Sequence, residues 1–347
     1  MLAIIRRLIP SVTRNRIFFA IGALSVLLLI VVLVVFPSRS PSSLTPDTVT
    51  KPISAQREAM SMAIRKEGGV RAYIDFQKAY ESAGFNTGHT AAHIFGEELY
   101  KAEHLSGTRV CDGKLNFGCF HGLLSKAIST EGLEVIAKLD SACIKNAGER
   151  SYECQHGIGH GILEYIGHTH VVDALNACKA TRQGDPVAGC TSGVFMEYNF
   201  PIVVDEENST AISNTRELMD KAKPYDLCPA LEDPRFRISC YHELPQWWKQ
   251  VYSNKFGELA KLCEAVVDTQ EQHACFDGIA QMTAGTADYD VAASIALCRE
   301  MPTIDVQKSC LRVVVSTFEV SRGDKESARR VCDAIPDVPA TFCNISP

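Results

Sequence analysis

The segment CQHGIGHGILEY, residues 154–165, decides the fold because variants of it return along the chain at a nearly fixed interval. Each variant begins with a cysteine and continues into a mostly apolar stretch. The variants are CFHGLLSKAI from Cys119, CTSGVFMEY from Cys190, CYHELPQWW from Cys240, CFDGIAQMTA from Cys275 and CLRVVVSTF from Cys310. Recurrence at a fixed period indicates a stacked repeat protein.

All fourteen cysteines belong to this pattern and fall into seven pairs along the chain. The pairs are Cys111 and Cys119, Cys143 and Cys154, Cys178 and Cys190, Cys228 and Cys240, Cys263 and Cys275, Cys298 and Cys310, and Cys332 and Cys343. The second cysteines follow one another at steps of 35, 36, 50, 35, 35 and 33 residues. The step of 50 is one repeat plus an insertion, which we place in the acidic polar stretch 199–216.

The apolar residues around each pair have helical spacing. Each first cysteine closes an apolar run, as in VVDALNAC and FGELAKLC, and each second cysteine opens another. One unit is therefore helix A, a loop and helix B. We expect an all-α fold, a right-handed α-solenoid of antiparallel helix pairs with a repeat of about 35 residues. A unit without cysteines precedes the first pair, because GHTAAH at 88–93 aligns with QHGIGH at 155–160.

Two pairing schemes for the cysteines follow from this unit. A bridge inside each unit joins the end of helix A to the start of helix B and contributes roughly 3 kcal/mol by restricting the unfolded chain. The alternative links each second cysteine to the first cysteine of the next unit. Its spacing changes abruptly at the insertion, and it leaves Cys111 and Cys343 unpaired. The sequence therefore favours one bridge inside each unit.

The combination of period and bridging resembles the Sel1-like and cysteine-rich solenoids of secreted bacterial proteins. In those proteins, helix pairs of about 36 residues each carry one disulfide between their two helices. The resemblance covers roughly residues 70–347. It implies the architecture and a tendency to bind partner proteins, and it implies no catalytic residue.

The N-terminal region has the composition of a membrane anchor. Residues 17–36 form an uncharged, mostly apolar stretch long enough to cross a bilayer as a helix. A cleaved signal peptide is the alternative, but its apolar core is shorter and ends at small residues, whereas this stretch ends in FPSRSPSS. Four arginines and no acidic residue precede it, so we expect residues 1–16 in the cytoplasm and the main domain in the periplasm or outside the cell.

The exported part is divided into a tether and one domain. Residues 37–54 are rich in proline, serine and threonine, which predicts a stalk, and residues 55–347 form the helical-repeat domain. The chain carries a formal net charge of −6 and its first 36 residues carry +4, so about −10 remains on the exported part. Such a charge argues against nucleic acid as a partner. The expected partners are the membrane, through residues 17–36, and a protein or peptide.

A polar stripe runs along the B helices and contains most of the histidines. The spacing HxxxHxxxE occurs twice, and residues four apart share one helical face. Imidazole and carboxylate ligands suit a divalent metal ion such as zinc, iron or manganese. The candidate ligands are His89, His93, Glu97, His121, His156, His160 and Glu164. The alternative is that the stripe is a ladder of hydrogen bonds between neighbouring B helices, or a solvated wall.

A binding surface is the second candidate site. If the B helices line a concave wall, the residues expected along it are His242, Gln246, Trp247, Trp248, Asp277 and Gln281. The sequence leaves open whether the two tryptophans face this wall or the core. We expect a membrane-anchored binding or scaffold module for a protein, peptide or envelope component. A metal-dependent hydrolytic or oxidative enzyme is the alternative.

Overall fold

The computed structural model describes residues 44–148, 151–182, 186–205, 210–213, 216, 222–253 and 255–335. The expected cytoplasmic segment, the expected membrane helix 17–36 and most of the expected stalk lie outside them. In these ranges, no helix combines the length and the apolar character that a membrane span requires. The sequence predicted an extended tether, but the end of the predicted stalk is folded. Leu44 is buried, residues Pro46–Thr50 form a 3₁₀ turn, and Gln56 Nε2 donates to the carbonyl oxygens of Val49 and Lys51.

Helices dominate the described residues, as predicted. The helices are α1 Ile53–Glu67, α2 Gly69–Ala79, α3 Phe85–Glu103, α4 Gly118–Glu131, α5 Ile136–Ala147, α6 Ser151–Ile166, α7 Val171–Ala177, α8 Cys190–Asn199, α9 Pro234–Val251, α10 Phe256–Glu264, α11 Thr269–Thr286, α12 Val291–Cys298, α13 Ile304–Ser316 and α14 Lys325–Cys332. A five-residue π-helical turn, Thr317–Ser321, follows α13.

The B helices of successive units pack against one another in chain order. Helix α3 packs on α4, α4 on α6, α6 on α8, α8 on α9, α9 on α11, and α11 on α13. The A helices α5, α7, α10 and α12 each pack on the B helix that follows them. This order is the one expected of stacked helix pairs, and it confirms the helical repeat.

Six disulfides lie inside the units, as the cysteine spacing predicted. They join Cys111 to Cys119, Cys143 to Cys154, Cys178 to Cys190, Cys228 to Cys240, Cys263 to Cys275, and Cys298 to Cys310. The Cα atoms of each pair are 5.4 to 5.7 Å apart, within the normal range for a bridge. Cys343 lies outside the described residues, and the Cys332 sulfur is also disulfide-bonded.

The later B helices begin earlier than the sequence analysis placed them. Helices α9, α11 and α13 start six residues before their cysteine, because the residue preceding each helix caps it. Asp233 accepts a hydrogen bond from the Arg235 amide, Asp268 from the Gln270 and Glu271 amides, and Thr303 from the Val306 amide. These caps satisfy backbone donors that the first turn leaves open. The loops between paired cysteines are correspondingly shorter than expected.

In two units, the described residues before the first cysteine form no regular A helix. The residues before Cys111 form the 3₁₀ turn His104–Arg109, and those at Cys228 form the turn Cys228–Ala230, with a proline inside it. Proline lacks the backbone donor that a longer helix needs there. The insertion contains an antiparallel hairpin, Ile202–Asp205 with Thr210–Ser213, so the expectation of an entirely α fold is wrong at this point.

The stack curves until its last units approach its first. A Cβ atom added to Gly113, in the loop before α4, would lie 3.0 Å from Val320 Cγ1 in the π-helical turn after α13. Phe117 and Val320 line one cavity together with side chains from α4, α6, α8, α9, α11 and α13. The B helices therefore form its wall, and no A helix of the described residues contributes to it.

Candidate metal centre

Glycines allow the B helices that carry histidines to approach each other closely. A Cβ atom on Gly122 of α4 would overlap the His93 carbonyl oxygen of α3, and one on Gly193 of α8 would overlap the His156 carbonyl oxygen of α6. Glycine recurs three residues after the second cysteine of four pairs, at Gly122, Gly157, Gly193 and Gly278. The structure gives the reason, since only glycine permits contact between the two backbones. The histidines at the contacts are thereby brought together.

Five histidines from three neighbouring helices meet at this point. His89, His93 and His121 form the first histidine cluster, and His121, His156 and His160 form the second. Within each cluster, one potential ligand nitrogen per residue lies within 4.8 Å of the others. His121 belongs to both clusters. The structure thus brings together all five histidines that the sequence singled out as candidate ligands.

The hydrogen bonds of the second cluster fix which ring nitrogens carry protons. His160 Nδ1 lies 2.9 Å from Glu197 Oε2, and a carboxylate only accepts, so Nδ1 carries the hydrogen. Ser192 Oγ donates to Glu243 Oε1 at 2.6 Å, so its lone pair accepts from His156 Nδ1 at 3.2 Å. In its neutral form, each ring therefore has a lone pair on Nε2.

These two lone pairs face each other. His156 Nε2 and His160 Nε2 are 3.2 Å apart, and with both ring protons committed elsewhere no hydrogen remains to place between them. Either an added proton or a metal ion relieves the repulsion. A proton bridges only two nitrogens, whereas a metal ion also binds a third ring. The third ring is the imidazole of His121, whose centroid lies 4.4 Å from the centroid of the His160 ring. The third ring favours the ion.

The first cluster brings its ring nitrogens equally close, and one of its tautomers is fixed. His89 Nδ1 lies 2.7 Å from the Leu115 carbonyl oxygen, so it carries the hydrogen and Nε2 carries the lone pair. His93 Nε2 lies 3.2 Å from both His89 Nε2 and His121 Nδ1. A tetrahedral zinc ion with Zn–N bonds near 2.05 Å holds its nitrogens about 3.3 Å apart, so the spacing fits an ion of this size.

Burial favours the neutral form of four of these imidazoles, the form in which histidine binds metal. Burial lowers the pKa of His89 to about 4, with a smaller opposing effect from its hydrogen bond to Leu115. It also holds the pKa values of His93, His121 and His156 well below the usual value, and neighbouring imidazoles add to the effect. Neutral imidazole is a ligand for zinc, copper, iron and nickel.

The two expected carboxylate ligands do not join the histidines. Glu97 Oε2 accepts from Arg57 Nη1 at 2.7 Å, and Glu164 is exposed and belongs to neither cluster. The HxxxHxxxE spacing placed each glutamate one turn beyond its histidine pair, but Glu97 pairs there with Arg57 and neither glutamate joins the histidine nitrogens. The donor set is therefore imidazole alone, which favours zinc over manganese.

Glu197, which the sequence analysis did not select, supports the second cluster. Its carboxylate accepts from His160 Nδ1 and His168 Nε2, each at 2.9 Å, and the residue is buried. Burial opposes its ionisation, but these two hydrogen bonds outweigh burial and hold the Glu197 pKa below its ordinary value. The His168 side chain is itself half-exposed. The pairing of Glu197 with His160 can be recognised only from the contact between α6 and α8.

Buried Glu243 of α9 connects His156 to His242. It accepts from Ser192 Oγ, from His242 Nδ1 at 2.9 Å and from Gln246 Nε2 at 3.1 Å. A hydrogen-bonded ladder between neighbouring B helices, the alternative weighed for the polar stripe, is thus present on the Nδ1 side of His156. It does not use the Nε2 atoms that face one another in the clusters.

The central cavity has a volume of about 660 Å³ and adjoins the second cluster. His121 and His156 line it, as do four residues expected along the concave wall: His242, Gln246, Asp277 and Gln281. Trp247 and Trp248 do not line it, so of the two positions that the sequence left open they take the core. Both are buried, and their indole nitrogens donate to the carbonyl oxygens of Arg216 and Pro224.

Comparisons with protein-family models, curated proteins and solved structures found no significant match.

Proposed function

We propose that the chain is a metal-binding helical-repeat protein that holds a divalent transition metal ion, zinc by its donor set, in the second histidine cluster. The observation that carries the proposal is the approach of two buried Nε2 atoms, from His156 and His160, whose Nδ1 protons are both committed to acceptors. His121 supplies a third nitrogen. Hydrogen bonds from ligand histidines to a carboxylate or hydroxyl are usual around protein-bound metals.

The cavity beside this cluster supports a binding role. Its wall combines apolar side chains, such as Phe117 and Met282, with the charged groups Lys249 and Asp277. This mixture suits a protein or peptide segment in the cavity. A polar group of that segment would reach the ion on the side where His121 and His156 line the cavity. The proposed function is therefore a binding or scaffold module in which the metal takes part in holding the ligand.

The proposal includes the cellular location expected from the sequence. The apolar stretch 17–36 anchors the chain in a membrane, and the disulfide-bonded repeats lie on the oxidising, extracytoplasmic side. Six bridges within the described residues support an oxidising compartment. The right-handed sense of the solenoid and its relation to Sel1-like repeats belong to the same proposal and rest on period and bridging.

A metal-dependent hydrolase is the second candidate function. Three imidazoles with one side open to a cavity are the ligand set of a catalytic zinc site, where the fourth position holds water. Here His121 and His156 belong to the cluster and also line the cavity. This observation favours hydrolysis over oxidation, because zinc activates water without changing its oxidation state.

Metal content tests the proposal directly. The full-length chain, produced in an oxidising compartment, purified in detergent and incubated with zinc, is expected to retain the metal after gel filtration. The variant His156→Ala/His160→Ala is expected to lose the ion of the second cluster, measured by elemental analysis.

The matched control is His170→Ala/His273→Ala, which removes two exposed histidines outside both clusters. It is expected to keep the wild-type metal content. If the wild-type chain retains no zinc, or retains it equally after loss of His156 and His160, the proposed function is wrong. Hydrolysis of ester and peptide probes by the loaded chain, abolished in the same double variant, would favour the second candidate.

A further inference from the structure

His121 occupies a position that one metal ion alone does not explain. It is almost completely buried, and it lies where α3, α4 and α6 meet. His121 Nδ1 lies 3.2 Å from His93 Nε2 in the first cluster. His121 Nε2 is buried and has no hydrogen-bond partner among the described residues.

Neither tautomer of neutral His121 satisfies both nitrogens. With the hydrogen on Nδ1, the ring donates to His93 Nε2 and leaves a buried lone pair on Nε2. With the hydrogen on Nε2, a buried donor has no acceptor, and the Nδ1 lone pair faces the His93 nitrogen. Buried polar atoms are rarely left in this state. An ion at each nitrogen satisfies both.

The surroundings of His121 supply the other ligands for two ions. On one side are His89 and His93, whose Nε2 atoms are 3.2 Å apart. On the other side are His156 and His160, whose Nε2 atoms are also 3.2 Å apart. The imidazole of His121 is the ring that both clusters share.

We propose that the five histidines form a dinuclear metal centre, in which the imidazolate of His121 bridges two divalent ions. His89 and His93 complete one position, and His156 and His160 complete the other. The bridging ring gives up its single N–H proton to solvent when the second ion binds. Because its two nitrogens point apart, the ions would lie on the order of 6 Å from each other, given metal–nitrogen bonds near 2 Å. This inference rests on the proposed function.

Copper(II) is the probe that separates one ion from two, because imidazole binds it well and it is paramagnetic. The full-length chain is expected to bind two copper ions. Spins on two ions joined by one imidazolate pair antiferromagnetically, so the low-temperature electron paramagnetic resonance signal is expected to integrate to far fewer than two spins. His89→Ala/His93→Ala and His156→Ala/His160→Ala are each expected to bind one ion with a full, uncoupled spin.

Each other outcome overturns a defined part of the proposal. One ion that requires all five histidines, or two ions with two full spins, would overturn the bridge and leave metal binding intact. No retained metal would overturn the proposed function itself. The corresponding glutamine variants, which preserve side-chain polarity, repeat the test if an alanine variant fails to fold, as judged by free thiols and circular dichroism.

Discussion

The structure and the sequence pattern assign different carboxylates to the site. The sequence pattern made Glu164 a ligand, whereas the structure places Glu197 against His160 Nδ1. We expect Glu197→Gln to weaken zinc binding by about 10- to 100-fold, because the carboxylate orients His160 and raises its basicity as a ligand. Competition with a calibrated zinc chelator measures the change.

Glu164→Gln is the matched control, since it removes a carboxylate on α6, one turn beyond His160 and outside both clusters. Its zinc affinity is expected to equal that of the wild type. The reverse result, a large loss for Glu164→Gln and none for Glu197→Gln, would restore the HxxxHxxxE interpretation.

At this scale the sequence predicts residue types better than residue partners. The spacing of four puts His156 and His160 on one face of a helix, and the repeat puts His121 on the neighbouring helix. Both relations are local or periodic, so one sequence contains them. The contact of Glu197 with His160 depends on how deeply α8 packs against α6, which no spacing within either helix determines.

At the scale of the helix, close approach of α6 and α8 is a condition for the site. We expect Gly193→Ala to destabilise the chain by roughly 1–3 kcal/mol or more, because the added methyl group overlaps the His156 carbonyl oxygen and forces the helices apart. The same change is expected to lower zinc affinity by moving Ser192 and Glu197 away from their histidines. Denaturant unfolding under oxidising conditions measures the first effect.

Gly257→Ala provides the comparison, since a Cβ atom there would meet nothing closer than Glu300 Oε2 at 3.9 Å. In helix α10 this change is expected to be neutral or to stabilise by about 0.5–1 kcal/mol, as alanine favours the helix over glycine. Equal effects of the two substitutions would show that helix propensity, and not contact between backbones, governs Gly193.

Helix boundaries were the least predictable feature of the elements. The apolar runs identified α7, α10 and α12, which end at or next to their cysteines. The polar first turns of α9, α11 and α13 carry no apolar stripe, so periodicity missed them. Their signal was the capping residue seven positions before each cysteine: Asp233, Asp268 and Thr303.

At the scale of the whole molecule, the cysteine period predicted the stack and its bridges, but it did not predict the curvature. The spacing of repeats is a one-dimensional quantity, whereas curvature results from small rotations at each contact between B helices. The approach of Gly113 to Val320 joins units distant in sequence. That contact turns a concave wall into a cavity beside the second histidine cluster.

If residues 17–36 export and anchor the chain, as proposed, export and bridging are coupled in the whole chain, and this coupling gives the last prediction. Each bridge closes a short loop and contributes roughly 3 kcal/mol, so a chain without its bridges loses a large part of its stability. We expect deletion of residues 1–36 to keep the chain in the reducing cytoplasm, where its cysteines react with a thiol reagent in denaturant. The full-length chain is expected to sediment with membranes and to show no reactive thiol.

A cleavable signal peptide in place of residues 1–36 is expected to restore the bridges and yield a chain that no longer sediments, because export supplies the oxidising compartment and the apolar stretch supplies the anchor. Complete bridging of the deleted chain in the cytoplasm would contradict the role of export. Sedimentation of the chain made with the cleavable signal would contradict the role of the apolar stretch as the anchor.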